Sequence, residues 1–296
     1  MKKFQVITDS TSDLELSFRE KFDIDYYKMT FNIDDTEYEA DLDWGKISPD
    51  EYYKLMRNGK RSTTSLIKQE EFETKTKKYL DQGLDVLYIA CSSKLSGSKD
   101  FAEKLLKEFV NEYENRKVVC FDSLRSNYAE GLIAIDAAKL ANEGKTIDEA
   151  LEILKKDLLK YQVQAIVGSL EWLKKAGRVK ASKAFFGTLL QVKPVICSDA
   201  HGNNYAYESV IGRKKSIARL IDIIVERFEN PKDNILFIEH ADSLEDAKYI
   251  ANEIENRCHP LEINISNVGP IIGATVGPDT ITISFKGKEV TIFNPE

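Results

Sequence analysis

The stretch LDVLYIACSSKLSGSKDFAEKLL, residues 84–106, decides the fold. Its first part, Leu84 to Cys91, is short and apolar and reads as a buried strand. Phe101, Ala102, Leu105, Leu106, Phe109 and Tyr113 then recur at helical spacing. Between the two lie Ser92, Ser93, Lys94, Leu95, Ser96, Gly97 and Ser98, so a strand delivers a hydroxyl-rich loop to a helix N-terminus. In open α/β sheets ligands bind at that carboxyl edge, where the free N–H groups of the following helix carry partial positive charge. Four serines and a glycine there make a cradle for a small anionic group. They also suit a solvated turn in which Ser98 merely caps the helix. The loop alone does not choose between these readings.

The same grammar opens the chain. Phe4 to Thr8 reads as a strand, followed by Asp9, Ser10, Thr11, Ser12 and Asp13 and a helix near Leu14 to Phe22. Ile24 to Ile33 and Thr36 to Glu39 read as a hairpin about Asp34 and Asp35. Ser48, Pro49 and Glu51 start a helix over Pro49 to Met56. Arg61, Ser62, Thr63, Thr64 and Ser65 form a second hydroxyl cluster before a helix carrying Phe72, Tyr79 and Leu80, and read either as its N-cap or as a second half of the anion site. A strand from Lys117 to Asp122 and a helix from Asn127 to Glu143 continue the alternation, which predicts a parallel sheet covered on both faces.

The second half is more strand-rich. Strands are expected at Val163 to Gly168, Lys193 to Ser198, Asn204 to Val210, Asn234 to His240, Leu261 to Ser266, Thr280 to Phe285 and Glu289 to Phe293. Helices are expected at Ser169 to Gly177, Arg213 to Phe228 and Leu244 to Arg257. Val179 to Leu190 reads as an apolar helix whose Phe185, Phe186, Leu189 and Leu190 either line an elongated cavity or fill an ordinary core. The expected fold is α/β with two domains: residues 1–160 around a parallel sheet and residues 161–296 around a mixed sheet.

Composition narrows the partners. A net charge of −7 and a pI near 5.3, with 42 basic residues interspersed among 49 acidic ones, leave no basic stripe for nucleic acid. No leader precedes Phe4 and no apolar run approaches the roughly 20 residues of a membrane span, so a cytoplasmic protein is expected. Cys91, Cys120, Cys197 and Cys258 are far apart and read as buried thiols. The three histidines, His201, His240 and His259, lack ligand spacing, so no metal or other cofactor is expected.

Familiar catalytic patterns are absent. Gly97 stands alone without a P-loop, and no Gly-x-Ser-x-Gly elbow occurs. Asp9 could serve a phosphotransferase or phosphatase acting on a small phosphorylated substrate, but Thr11 occupies the position of a second carboxylate. Hydroxyls and backbone N–H groups hold an anion well and do not by themselves activate a nucleophile. The residues therefore favour binding over catalysis.

Read in order, six motifs resemble the DegV family: Thr8-Asp9-Ser10-Thr11, Thr63-Thr64-Ser65, Ser92-Ser93-Lys94-Leu95-Ser96-Gly97-Ser98, Leu173-Lys174-Lys175-Ala176-Gly177-Arg178-Val179, Lys193-Pro194-Val195, and Gly269-Pro270 with Gly277-Pro278. That family includes the fatty-acid-binding subunits of bacterial fatty acid kinase. The resemblance implies two α/β domains enclosing a long-chain fatty acid such as palmitate, a lipid-carrying role without catalysis, and a separate ATP-dependent kinase as partner. It implies that Thr63, Thr64, Ser65, Ser93, Ser96 and Gly97 hold the carboxylate, with the tail beside Phe185, Phe186, Leu189 and Leu190. The chain departs from the family pattern at Leu66-Ile67, where Gln-Pro is usual, and at Thr275, where a head-group His is expected. It departs again at Asp279, usually Gly, and at Ile211, usually Arg, with Arg213 two residues on.

Overall fold

The computed structural model describes residues 2–109, 112–113, 115–180 and 192–293. β1 (Phe4–Asp9) is buried throughout, and α1 (Leu16–Phe22) leads to β2 (Ile24–Tyr27), which pairs parallel with β1. β3 (Met29–Ile33) and β4 (Thr36–Ala40) form a hairpin whose turn residues Asp34 and Asp35 have φ of 50° and 62°. Two left-handed residues in succession match the twist of the flanking strands. α2 (Pro49–Arg57) begins where Ser48 Oγ accepts the Glu51 N–H at 3.2 Å. Next come β5 (Ser62–Ser65), α3 (Gln69–Asp81), β6 (Asp85–Ala90), α4 (Ser98–Phe109), β7 (Val118–Asp122), α5 (Asn127–Asn142) and α6 (Ile147–Asp157).

Four of these strands form a parallel sheet in the order β2-β1-β6-β7, while β4-β3-β5 form a small antiparallel sheet. In the parallel sheet the strand order reverses between β1 and β6, which puts a topological switch point between their carboxyl ends.

The second sheet draws on β8 (Tyr161–Ile166), β9 (Val179–Lys180), β10 (Val192–Ser198), β11 (Asn204–Ile211), β12 (Ile235–His240), β13 (Glu262–Asn267) and β14 (Ile281–Lys286). It is mixed, in the order β13-β12-β14-β8-β10-β11-β9. Its helices are α7 (Leu170–Ala176), α8 (Arg213–Arg227), α9 (Leu244–Cys258) and α10 (Pro270–Val276). The chain is thus an α/β protein of two domains, a parallel-sheet domain followed by a mixed-sheet domain.

α5 joins the two. Ala129, Gly131, Ile133, Ala134, Ile135, Ala137, Ala138 and Ala141 are all buried, so the helix has no solvent face over most of its length. It packs on β1 on one side and on β8 and β14 on the other. A helix apolar all round belongs in an interior layer, and small side chains let the two sheets approach it closely.

Three expectations change, and one helix is added. Ser62 to Ser65 is a strand paired with β3; Lys68 occupies the N-cap of α3 and makes no side-chain cap bond. Val179 and Lys180 form a strand beside β11, and Phe185, Phe186, Leu189 and Leu190 lie outside the described residues. α10 is a helix that no apolar periodicity announced. Glu289 to Phe293 is not a strand: Gly287 N–H donates to Lys160 O and Val290 N–H to Leu159 O, so these donors face the α6–β8 connection.

Arg125, in the β7–α5 loop, also ties the two halves. It is 0% exposed, and its guanidinium donates to the carbonyls of Tyr161 at 2.5 Å, Leu124 at 2.6 Å and Asp199 at 3.2 Å. Burial pulls its pKa down to about 10, so it stays charged at neutral pH. Arg125→Ala strands several buried carbonyls and is expected to lower stability by about 3 kcal/mol in urea unfolding. A loss within about 0.5 kcal/mol, the range of an ordinary surface substitution, would contradict this assignment.

Candidate functional site

A cavity of about 380 Å³ lies where the switch point of the parallel sheet faces α10 and the mixed sheet. That volume is within the roughly 300–1,000 Å³ range of small-molecule sites. Its exposed lining residues mark the mouth: Thr64 and Ser65 of β5, Leu66, Gly97 of the β6–α4 loop, and Arg178 from the α7–β9 turn. Ser96, Thr275 and Asn204 are half-buried on its walls. The interior is apolar on one side, with Met29, Val163, Ala165, Val167, Leu173, Ile196, Ile271 and Val276. Buried Thr11, Cys91, Ser126, Asn127 and Thr282 complete the floor. Among the described residues Arg178 is the one ionised side chain on this lining, and no carboxylate lines it.

Each wall has a local cause. β8 alternates Val163, Ala165 and Val167 onto one face, and the cross-strand partners of Ala165, Ile196 and Thr282, lie on the same face. α10 runs from Gly269, through Pro270 at its first position, to Gly277. Gly277 has φ of 71° and its Cα abuts the Trp172 indole, so a side chain there would overlap the ring. The helix is held from the first domain by Tyr52 OH donating to Pro270 O at 2.9 Å and Tyr53 OH donating to Val268 O at 2.5 Å.

Ser96 and Gly97 sit in the loop after β6. Leu95 and Ser96 N–H both donate to Ser92 O, and Ser96 Oγ accepts the Ser98 N–H at 3.2 Å, so Ser98 is the first helical residue and Ser96 serves its amide. Burial pushes the Cys91 thiol well above its usual range, so it lines the floor as a neutral group.

Behind the floor stands a set of buried carboxyls. Thr11 Oγ lies 2.5 Å from Asp9 Oδ1 and 2.7 Å from Glu130 Oε2. One hydroxyl hydrogen cannot serve both. Asp9 also accepts the Thr11 N–H at 2.8 Å and the Tyr88 hydroxyl, as a carboxylate would. Glu130 Oε1 accepts the Thr8 hydroxyl at 2.9 Å, and the two contacts of Thr11 are both satisfied when one of the two carboxyls carries a proton; burial raises both, Glu130 the more strongly, which assigns the proton to Glu130. Desolvation, then the Asp9 charge, hold Glu130 far above the carboxylate range.

Of the head-group residues named from the sequence, Thr64, Ser65, Ser96, Gly97 and Thr275 come together on this cavity. Thr63 and Ser93 do not line it: Thr63 is exposed on β5, and Ser93 N–H donates to Asp122 Oδ1 at 3.2 Å. Asp9 is 0% exposed, is enclosed by its donors and does not line the cavity. Arg213 donates to Asp246 at 2.8 Å and to Asp279 O at 2.6 Å and does not reach the cavity, and Ile211 is exposed. The cation at the mouth is Arg178 instead. Sequence reasoning missed it in a run of lysines, and missed Ser126, Asn127, Asn204 and Thr282. Their only advance signal was a polar residue in or beside an apolar run.

A profile described as "Uncharacterised protein, DegV family" matches residues 3–288. A DegV domain-containing protein of Clostridium perfringens is 32% identical over 287 residues, covering 97% of this chain and 98% of the relative. Among solved structures, the chain is similar to a DegV lipid-binding protein from Thermotoga maritima, at 28% identity and a TM-score of 0.82 over 98% of this chain and 100% of that one. It is also similar to a fatty-acid-binding DegV family protein from Thermus thermophilus, at 26% identity and a TM-score of 0.85 over 97% and 100%.

The hydrogen count behind the floor has a measurable consequence. Glu130→Gln keeps a donor toward Thr11 and is expected to change stability at neutral pH by less than about 1 kcal/mol, whereas Glu130→Ala is expected to cost about 2–3 kcal/mol. Because the folded protein holds this proton more tightly than the unfolded chain, its contribution is complete at low pH and is lost as pH rises through the raised value. Glu130→Gln removes that part of the pH dependence. Urea midpoints across pH check both points, and equal losses in the two variants would mean that Glu130 is ionised.

Proposed function

Since the chain belongs to the DegV family, we propose that it binds one long-chain fatty acid, with the carboxylate at the mouth and the tail along the apolar wall, and that it catalyses nothing itself. Residues 1–160 would supply the hydroxyl loops and residues 161–296 the tail wall. The observation that carries the reading is the polarity of the cavity: hydroxyls and one guanidinium at the mouth, apolar side chains within, and no carboxylate on the lining among the described residues. A carboxylate is attracted to such a mouth and would be repelled by an acidic one. Burying each methylene of a tail contributes about 0.8 kcal/mol, so a long chain is held mainly by the interior while the mouth sets its direction. The relatives from Thermotoga maritima and Thermus thermophilus are lipid- and fatty-acid-binding proteins, which supports the same reading.

Organic extraction of the purified protein followed by lipid mass spectrometry is expected to release a long-chain fatty acid. A clean extract, together with no uptake of added palmitate or oleate, would overturn the proposal. Ser96→Ala and Arg178→Gln are each expected to weaken fatty acid binding by about 1 kcal/mol, the scale for a bond to a charged group reduced by the exposure of the mouth. Unchanged affinity in both would move the head group elsewhere.

The reading extends to presentation of the acid to a separate ATP-dependent kinase. Thr275 offers one neutral hydroxyl where the family pattern has an imidazole, which can donate a charged hydrogen bond to the carboxylate. Thr275→His is expected to raise acyl-phosphate formation when a fatty acid kinase and ATP are supplied. Equal rates from the native protein and the variant would make Thr275 a neutral replacement.

A further inference from the structure

A second cavity, of about 680 Å³, opens where the carboxyl ends of β12 and β13 meet the β1–α1 loop and α2. It shares no lining residue with the first cavity. Asp13, Glu15, Asp43, Asp50 and Asp242 line it, and among the described residues no lysine or arginine does. Two of the five are neutralised from outside the lining: Arg19 pairs with Asp43 at 2.5 Å and Arg57 with Asp242 at 2.5 Å. Asp13, Glu15 and Asp50 take part in no ion pair among the described residues. Glu15 and Asp50 stand at the starts of α1 and α2, where a helix carries about half a positive charge, so each full carboxylate exceeds the half charge it faces.

The floor leaves acceptors unused. Asp13 and Ser266 line the cavity and are only 6% and 9% exposed, yet Asp13 Oδ1 and Ser266 Oγ have no hydrogen-bond partner among the described residues. Asp13 Oδ2 accepts the Gly269 N–H at 3.1 Å, so Oδ1 is the oxygen left over. A buried oxygen without a donor is costly to the fold. Water can satisfy such an acceptor; a cation also answers the charge. Burial, then the charge of Glu239, raises the Asp13 carboxyl well above the usual range, and a cation against it favours the ionised form.

The spread of the carboxyls selects the kind of cation. They run from buried Asp13 through half-buried Glu15 to exposed Asp50, and no three acidic, histidine or cysteine side chains among the described residues converge as a metal site. Leu16, Leu42, Trp44, Leu244 and Ile265 supply apolar surface on the same lining. Separated negative charges with apolar surface beside them match separated ammonium groups joined by methylenes, and the Trp44 indole offers a face that attracts a cation.

We propose that this cavity binds an aliphatic polyamine, with one ammonium group against Asp13 Oδ1 and Ser266 Oγ at the floor and a second at Glu15 and Asp50 toward the rim. An ammonium group has three N–H donors, enough for both floor oxygens at once. The methylenes lie along Leu42, Trp44 and Ile265. The site is separate from the first cavity and does not depend on the lipid-binding reading.

The test is calorimetric titration of the full chain with spermidine in about 150 mM salt, where attraction beyond about 8 Å is screened. The native protein is expected to bind saturably, one to one. Asp13→Asn keeps an acceptor for Gly269 N–H and tolerates the φ of 51°, and is expected to weaken binding about tenfold or more. Asp50→Asn, at the exposed rim, is expected to weaken it about threefold, and decides the matter if Asp13→Asn does not fold. Glu152→Gln removes the same charge from an exposed position on α6 outside the cavity and is expected to leave affinity unchanged. No saturable binding by the native protein, or a loss in Glu152→Gln equal to that in Asp50→Asn, would overturn the site. Displacement of spermidine by an equal concentration of magnesium chloride would make it a divalent-metal site and overturn the polyamine assignment.

Discussion

The structure depends on one helix buried between two sheets. α5 is lined with alanines and packs on β1 and on β8 and β14, so neither sheet buries its inner face without it. Such a layer has no water to satisfy a polar group. The polar residues it carries are accordingly matched: Glu130 with Thr8 and Thr11, Asp136 with Tyr161 at 2.7 Å and Lys286 at 3.1 Å, and Asn127 facing Glu239. These bonds set how the carboxyl edge of the parallel sheet meets the mixed sheet. The cavity is the space left at that meeting, where α5 begins and no longer fills the gap.

The walls of the cavity then divide the work by depth. Hydroxyls near the floor are committed to the carboxyls behind them: Thr11 to Asp9 and Glu130, and Thr282 to Glu239. A committed hydroxyl offers less to a ligand, so a floor that is polar by composition acts as an apolar stop. At the mouth the reverse holds. Thr64, Ser65 and Arg178 are exposed, and desolvating an anion there costs less than in the interior. Available polarity therefore falls from the mouth to the floor, although hydroxyls occur at both ends.

This depth dependence explains which parts of the site were legible in the sequence. The loop from Ser92 to Ser98 follows an apolar strand and precedes a periodic helix, so its place at the sheet edge could be read from spacing alone. Thr64 and Ser65 were found for their hydroxyls and assigned to the wrong local structure: short polar residues suggest a cap, and only the pairing of β5 with β3 makes them a strand. Ser126, Asn127 and Thr282 face the cavity through tertiary packing and carry no local signal. α10 was missed because seven residues, with Gly273 among them, show no amphipathic period. Arg178 differs from Lys174 and Lys175 only in that Gly177, with φ of 67°, ends α7 and turns the chain toward the mouth.

One departure from the expected pattern has a local account in backbone conformation. Asp279 stands where the resemblance led one to expect Gly, and its φ of 63° is the left-handed conformation that glycine adopts most freely. Asp tolerates that region, and here its side chain accepts from Arg57 at 2.7 Å, while Arg57 also donates to Asp242 at 2.5 Å. Arg57 ends α2, whose Tyr52 and Tyr53 hold the start of α10. The substitution thus adds a tie from the first domain to the turn just beyond α10. Being exposed, the pair adds little stability of its own. Its effect is positional: α10 is held from the first domain at Val268 and Pro270 and again at Asp279, so the wall that carries Thr275 is anchored before and after the helix.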